Sequence, residues 1–215
     1  MKRNISIILA LAMCLGMLCG CGNKIEADSY VRDAIDAAYR CEITDDYLGI
    51  SGQERQECQE NYESGITEKA EFMAMCLSID LGACSDDVLS DLTELMKEIY
   101  SHAKYEVGKV TRDGDNYFVD VTVYPLDIMQ NCLPQMKEHY LKFVERVDAG
   151  EFKDKEAERD NIYAREAIDI LRSAIDGMGY LEPETVQVEV VYDGSGAYFF
   201  RDAGKAEVDK LIIKY

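Results

Sequence analysis

Apolar residues recur along this chain in three rhythms. They run almost without break from Ile5 to Leu18, then return every three or four residues to about Ile99, and alternate strictly at two later places. The spacing of Ala27, Tyr30, Val31, Ala34 and Ala38 predicts a first helix near 26–41. Ser51 is placed to cap a second, mostly polar helix reaching Tyr62. Thr67 is placed to cap a third, with Phe72, Met73, Cys76 and Ile79 on one side and Gly82 as its stop. Ser85 then caps a fourth, with Asp86 and Asp87 where negative charge suits the helix dipole. Val88, Leu89, Leu92, Leu95, Met96 and Ile99 form its apolar stripe.

The period then shortens to two. Residues 104–112 and 117–124 flank Asp113-Gly114-Asp115-Asn116, a strong hairpin signal. Tyr117, Val119, Val121 and Val123 share one face; Phe118 and Tyr124 put some apolar surface on the other, and Pro125 ends the strand. Leu133, Met136, Tyr140, Phe143 and Val147 return to helical spacing, with Pro134 expected in the first turn. That stripe either meets a partner helix or packs within the chain, and its length of about two heptads favours packing within the chain. Gly150 separates it from a helix near 154–176 that closes at Gly177 and Gly179. A second hairpin follows, Val186 to Tyr192 returning through 197–201 after Asp193-Gly194-Ser195-Gly196, and 208–212 form a short helix or strand. The expected fold class is α+β, with helices packed on one face of an antiparallel sheet built from two hairpins.

The first rhythm has a different meaning. Lys2 and Arg3 precede an apolar run too short to span a bilayer, which needs about 20 residues, but suited to a signal peptide. It ends in Leu18-Cys19-Gly20-Cys21, which resembles a bacterial lipobox: an aliphatic residue, two small ones, and the cysteine that receives lipid. The expected division is therefore 1–20 signal peptide, 21–27 lipidated cysteine and tether, and 28–215 a single α+β domain. Cys21 is the lipidation site. Two or three acyl chains of the palmitate kind, at about 0.8 kcal/mol per buried CH2, hold a protein stably on a membrane where one does not. A tether this short reaches only about 20 Å, so the body sits near the membrane on its extracellular face.

Charge narrows the partners. The formal net charge is −19, and losing Lys2 and Arg3 lowers it to −21. Such a surface repels nucleic acid and anionic headgroups. Beyond Cys21 five cysteines remain, Cys41, Cys58, Cys76, Cys84 and Cys132, an odd number without zinc-site spacing. They read as small buried apolar residues, although Cys76 and Cys84 are spaced to allow a pair.

Candidate chemistry is sparse. Cys132 and His139 can share a helix face, but two turns set them about 10 Å apart, too far for a nucleophile and its base. Gly194-Ser195-Gly196 lacks the helix behind it that a nucleophile elbow needs. Asp113-Gly114-Asp115-Asn116 falls short of a calcium loop and is explained by turn chemistry. No catalytic residue, cofactor or metal ligand is assigned, and no enzyme activity is expected. Fourteen tyrosines without any Trp are unusual. Tyr30, Tyr39, Tyr117, Tyr124, Tyr192 and Tyr198 either line a pocket with apolar bodies and polar tips or serve core and sheet-edge packing, which the reading favours.

The lipobox followed at once by Ala27-Asp28-Ser29-Tyr30-Val31-Arg32-Asp33-Ala34-Ile35, the strand 117–125, the helix 143–152 and the strand 185–190 together resemble a group of Gram-positive surface lipoproteins. Their shared domain has no assigned function and is similar to cystatin-like or NTF2-like α+β folds. The resemblance implies a curved sheet wrapping a helix, with room for a cone-shaped pocket. It carries no functional residues. The expected role is a non-enzymatic, membrane-anchored protein binding a small ligand or peptide in the concavity of its sheet. The alternative is a docking or scaffold module that meets another envelope protein through its acidic face.

Overall fold

The structure, a computed structural model, describes residues 25–215. The expected signal peptide, Cys21 and most of the expected tether lie outside the described residues. Helix α1 spans Ala27–Arg40 and ends where Cys41 turns left-handed at φ 57°, its N–H returning to the Asp36 carbonyl. A short helix, α2 (Asp45–Ser51), lies where the sequence pattern predicts none. It starts under Thr44, whose hydroxyl accepts the Tyr47 N–H at 3.0 Å and donates to Asp33 at 2.7 Å.

The expected second and third helices are one continuous helix, α3, Arg55–Cys76. Neither proposed cap is used as such. Ser51 is the last residue of α2, and Thr67 sits mid-helix with its hydroxyl donating back to the Glu63 carbonyl at 2.9 Å. Gly82 belongs to a short 3-10 turn, Leu81–Ala83, rather than to the end of α3. Helix α4 covers Asp86–Ser101. Ser85 precedes it, but its N–H and hydroxyl both donate to Asn161 Oδ1, at 2.9 and 2.6 Å, tying the start of α4 to a later helix.

Strands β1 (Lys104–Asp113) and β2 (Asn116–Tyr124) form the first hairpin. Helix α5 spans Ile128–Asp148, so Pro134 falls in its second turn, not its first. Helix α6 (Glu156–Ile175), β3 (Glu184–Tyr192), β4 (Tyr198–Phe200) and α7 (Asp202–Ile212) complete the described chain. The sheet runs β1-β2-β3-β4, antiparallel throughout, with Val121 opposite both Val107 and Val186. The α+β class and the pairing of the two hairpins into one sheet are as expected.

One sheet face is the core face. Val119, Val121, Val123, Val188 and Val190 have no exposed surface there, each such burial contributing about 1.5–3 kcal/mol. Helices α1 and α7 lie on it, α1 over β1 and β2 and α7 over β2 and β3. Gly204 lets α7 approach: a Cβ at that position meets Val188 Cβ at 3.1 Å and the Phe200 ring at 3.2 Å. The other face is half-exposed and polar, its residues paired across strands. Gln187 donates to Asp120 at 3.0 Å, and the Thr122 and Thr185 hydroxyls meet at 2.7 Å, which is how a one-sided antiparallel sheet meets water.

Helices α3 and α4 pack behind α1, α6 behind α4, and α5 on α6. Here the expectation of internal packing for the α5 stripe holds for Met136 and Phe143 and fails for Leu133, Tyr140 and Val147. Cys132, Met136 and Phe143 face inward, but Leu133, Tyr140, Leu141, Val144 and Val147 are exposed. Helix α5 carries apolar residues on two faces and α6 covers one.

Candidate functional site

Helix α1 is a wall between two cavities. Arg32, Asp36 and Arg40 recur every four residues and so share one flank of the helix; Tyr30, Ala34, Ala38 and Tyr39 face the other cavity. The same helix therefore presents a charged flank and a tyrosine and alanine flank.

The tyrosine-lined cavity has a volume of about 340 Å³ and lies between α1, α2, α3, β4 and α7. The Tyr30 hydroxyl donates to the Tyr198 carbonyl at 2.9 Å, fastening α1 to β4, and its ring stacks on Tyr47 at 5.7 Å. Beside it, Asp209 of α7 accepts the Tyr39 hydroxyl at 2.6 Å and the Lys69 ammonium at 3.1 Å. Lys69 also lies 5.8 Å from the Tyr39 ring centroid and 5.5 Å from that of Tyr100. A cation held between two aromatic faces and a carboxylate is well compensated for its partial burial. Burial, then the Asp209 charge, holds the Tyr39 phenol well above its ordinary range. Burial, with smaller contributions from Cys58 and Glu57, pushes Tyr47 up to about 12. The tyrosines are therefore neutral hydroxyls at pH 7.

Several polar groups around this cavity keep unused capacity. Gln53 Oε1 accepts the Tyr47 hydroxyl at 2.8 Å and the Cys58 thiol at 3.6 Å, leaving the amide N–H groups of Gln53 without a partner among the described residues. Asn61, Asp202 and Lys205 also line it, the two charged ones in no ion pair among the described residues. Burial, followed by the neighbouring Glu57, raises the Cys58 thiol, so it is a protonated, weakly reactive group. Apolar walls with a few open donors and acceptors fit a small organic ligand. They do not form a nucleophile with its base.

The second cavity, about 430 Å³, is lined by Arg32, Asp36, Arg40, His102, Lys104 and Tyr105 with Ser101, Ala103 and Tyr180. Arg40 donates to Asp36 at 2.7 Å and to the Ala103 carbonyl. The Tyr180 hydroxyl donates to the His102 carbonyl at 3.0 Å.

The residues singled out from sequence separate as follows. Tyr30, Tyr39 and Tyr198 line the first cavity, joined by Tyr47 and Tyr62, which the sequence did not mark. Tyr117 is core, its hydroxyl buried without a hydrogen-bond partner among the described residues; Tyr192 packs on Tyr198 at 5.1 Å; Tyr124 is on the open sheet face, donating to Glu106 at 2.8 Å. The cavity lies beside β4, not in the concavity of the sheet, whose core face is filled by valines. Cys132 donates to the Met129 carbonyl at 3.7 Å, while His139 Nδ1 is 3.7 Å from Glu166 and its ring stacks on Tyr163. The two are not partners. Asp113–Asn116 is a hairpin turn, Gly114 at φ 60° and Asn116 accepting the Tyr192 N–H at 3.1 Å. Ser195 gives its hydroxyl to Asp193 at 2.6 Å within the second turn. Cys41, Cys58, Cys76, Cys84 and Cys132 are all free thiols. Among the described residues no group of three or more His, Cys, Asp or Glu side chains is gathered as a metal site, and no helix is long and apolar enough to cross a membrane.

No protein-family model matches the chain, and no curated protein matches it. Among solved structures it is similar to the crystal structure of ycdA from Bacillus subtilis, a protein described as a lipoprotein, with a TM-score of 0.62 and 13% identity. The match covers 87% of this chain and 56% of that one, so the chain spans little over half its length. Similarity at that identity shows a shared fold.

Proposed function

We propose that this is a lipid-anchored, extracytoplasmic, non-enzymatic protein that binds a small ligand in the tyrosine-lined cavity beside α1. The observation that carries the reading is that cavity: about 340 Å³, walled by tyrosines and alanines, with Gln53, Asn61 and Lys69 lining it. The ligand has an apolar or aromatic body, matched to the tyrosine faces, and oxygen acceptors that meet the open N–H groups. Anchoring through Cys21 is supported by the lipobox and by the fold likeness to a protein described as a lipoprotein. If Cys21→Ser leaves the protein in the membrane fraction at its usual level, the anchor is wrong.

Binding is tested by filling the cavity. Ala38, half-buried on its wall, is replaced by Leu, and thermal shifts are compared across a panel of small amphipathic metabolites. A compound that stabilises the wild type and not Ala38→Leu supports the site; a panel that shifts both proteins equally, or neither, counts against it. The exposed Leu133, Tyr140, Leu141, Val144 and Val147 on α5 favour a second reading, docking to another envelope protein. Crosslinking on intact cells then recovers a defined partner from the wild type, and Leu141→Glu abolishes it.

A further inference from the structure

The structure assigns a second role to the other flank of α1: we propose that the cavity of Arg32, Arg40, Lys104 and His102 binds a phosphoryl group. The chain has 42 acidic and 23 basic residues, so an arginine without a carboxylate partner stands out. Every other arginine among the described residues is in an ion pair; Arg32 is not. Lys104 has no ion pair among the described residues either. Its ammonium is held by rings instead, 4.2 Å from the Tyr124 centroid and 5.4 Å from that of Tyr180. Asp36, the one carboxylate lining the cavity, is occupied by Arg40 at 2.7 Å. Glu106, two residues along β1, accepts the Tyr124 hydroxyl and does not line the cavity.

The acceptors here are already engaged. Helix α4 ends at this cavity, and the partial negative charge of its carboxyl end opposes an anion. Two carbonyls at that end are covered, His102 by the Tyr180 hydroxyl and Ala103 by Arg40. What remains free is donor capacity: the Arg32 guanidinium, the Lys104 ammonium and the His102 ring. Arg32 and Lys104 leave two uncompensated positive charges. A phosphomonoester carries about −1.5 to −2 at pH 7 and matches both, whereas a carboxylate matches one. Arginine supplies a planar fork for phosphoryl oxygens and lysine a point charge. Soluble phosphomonoesters and phosphatidate headgroups share this chemistry.

The test is isothermal titration of the full chain in a nonionic detergent, with glycerol 3-phosphate in one arm and dihexanoyl phosphatidic acid in the other. The result expected is saturable binding in at least one arm, weakened about tenfold by Arg32→Gln and by Lys104→Gln. Lys109→Gln, a cation on the same strand outside the cavity, leaves affinity unchanged. Equal affinities identify a soluble phosphate ligand, and much tighter binding of the phosphatidate identifies a headgroup. Both replaced side chains are exposed, and far-UV circular dichroism checks that each variant folds. The proposal is overturned by absence of saturable binding in both arms, by acetate competing as well as phosphate, or by Lys109→Gln weakening binding as much as Lys104→Gln. Ala38→Leu blocks the other cavity and leaves phosphate binding intact, which separates this proposal from the preceding one.

Discussion

The two flanks of α1 differ in how they use the same helix. On the tyrosine flank, Tyr30 and Tyr39 are buried and tied by hydrogen bonds to β4 and α7, residues 168 and 170 positions away. On the charged flank, Arg32 stands exposed and Lys104 rests on rings at the sheet edge. The first flank is part of the scaffold as well as of a cavity; the second is surface. Stability and binding are therefore coupled on one side of the helix and separable on the other.

The largest effect expected is from Tyr30→Ala, which removes a buried ring and the bond to Tyr198. It costs about 3–5 kcal/mol, read as a lower midpoint in urea, and it opens the tyrosine-lined cavity at the same time. A loss under 1 kcal/mol means that this flank is not scaffold. Next is Lys69→Met, which leaves Asp209 with the Tyr39 hydroxyl alone. The side chains of Lys69 and Asp209 are 20% and 32% exposed, so the cost falls below that of a fully buried pair, at about 2 kcal/mol.

Alkaline pH weakens the tyrosine flank. Tyr47 has its ordinary value of 10.0 when unfolded and about 12 when folded. The unfolded chain loses this proton first, so the stabilisation is complete below pH 10 and is lost as pH rises through 12. Urea midpoints measured beside absorbance at 295 nm are expected to fall in that window. The smallest effect belongs to the charged flank. Arg32→Ala changes stability by no more than about 0.5 kcal/mol, and a larger loss means that Arg32 is structural.

Sequence patterning exposed the sheet because β2 and β3 alternate cleanly and one face is filled by valines. It exposed α1 and α4 through their apolar stripes. It failed at α2 and α3 for a local reason. Ser51 and Thr67 are cap-forming residue types, yet one ends a helix and the other bonds back to Glu63 within one. Gly65 and many acids weaken the apolar stripe that would have shown α3 as continuous. Only part of the α5 stripe packs internally, because spacing reports which residues share a face but not whether a neighbour exists to cover it.

The sites were only partly legible. Three of the tyrosines marked in advance reach the cavity, but Lys69 and Asp209 lie 140 positions apart and meet only through the packing of α7. The charged flank had one local signal, the four-residue spacing of Arg32, Asp36 and Arg40. Lys104 and Tyr180 join it through the sheet edge, which no local pattern foretells.

Ligand binding beside α1 is tested most simply by a crystal structure of the protein purified from the cells that produce it naturally. Density for a small molecule is expected in the cavity of Tyr30, Tyr39 and Tyr198, with an oxygen within hydrogen-bond reach of Gln53 or Lys69. A cavity closed by its own side chains, or holding ordered water alone, contradicts it.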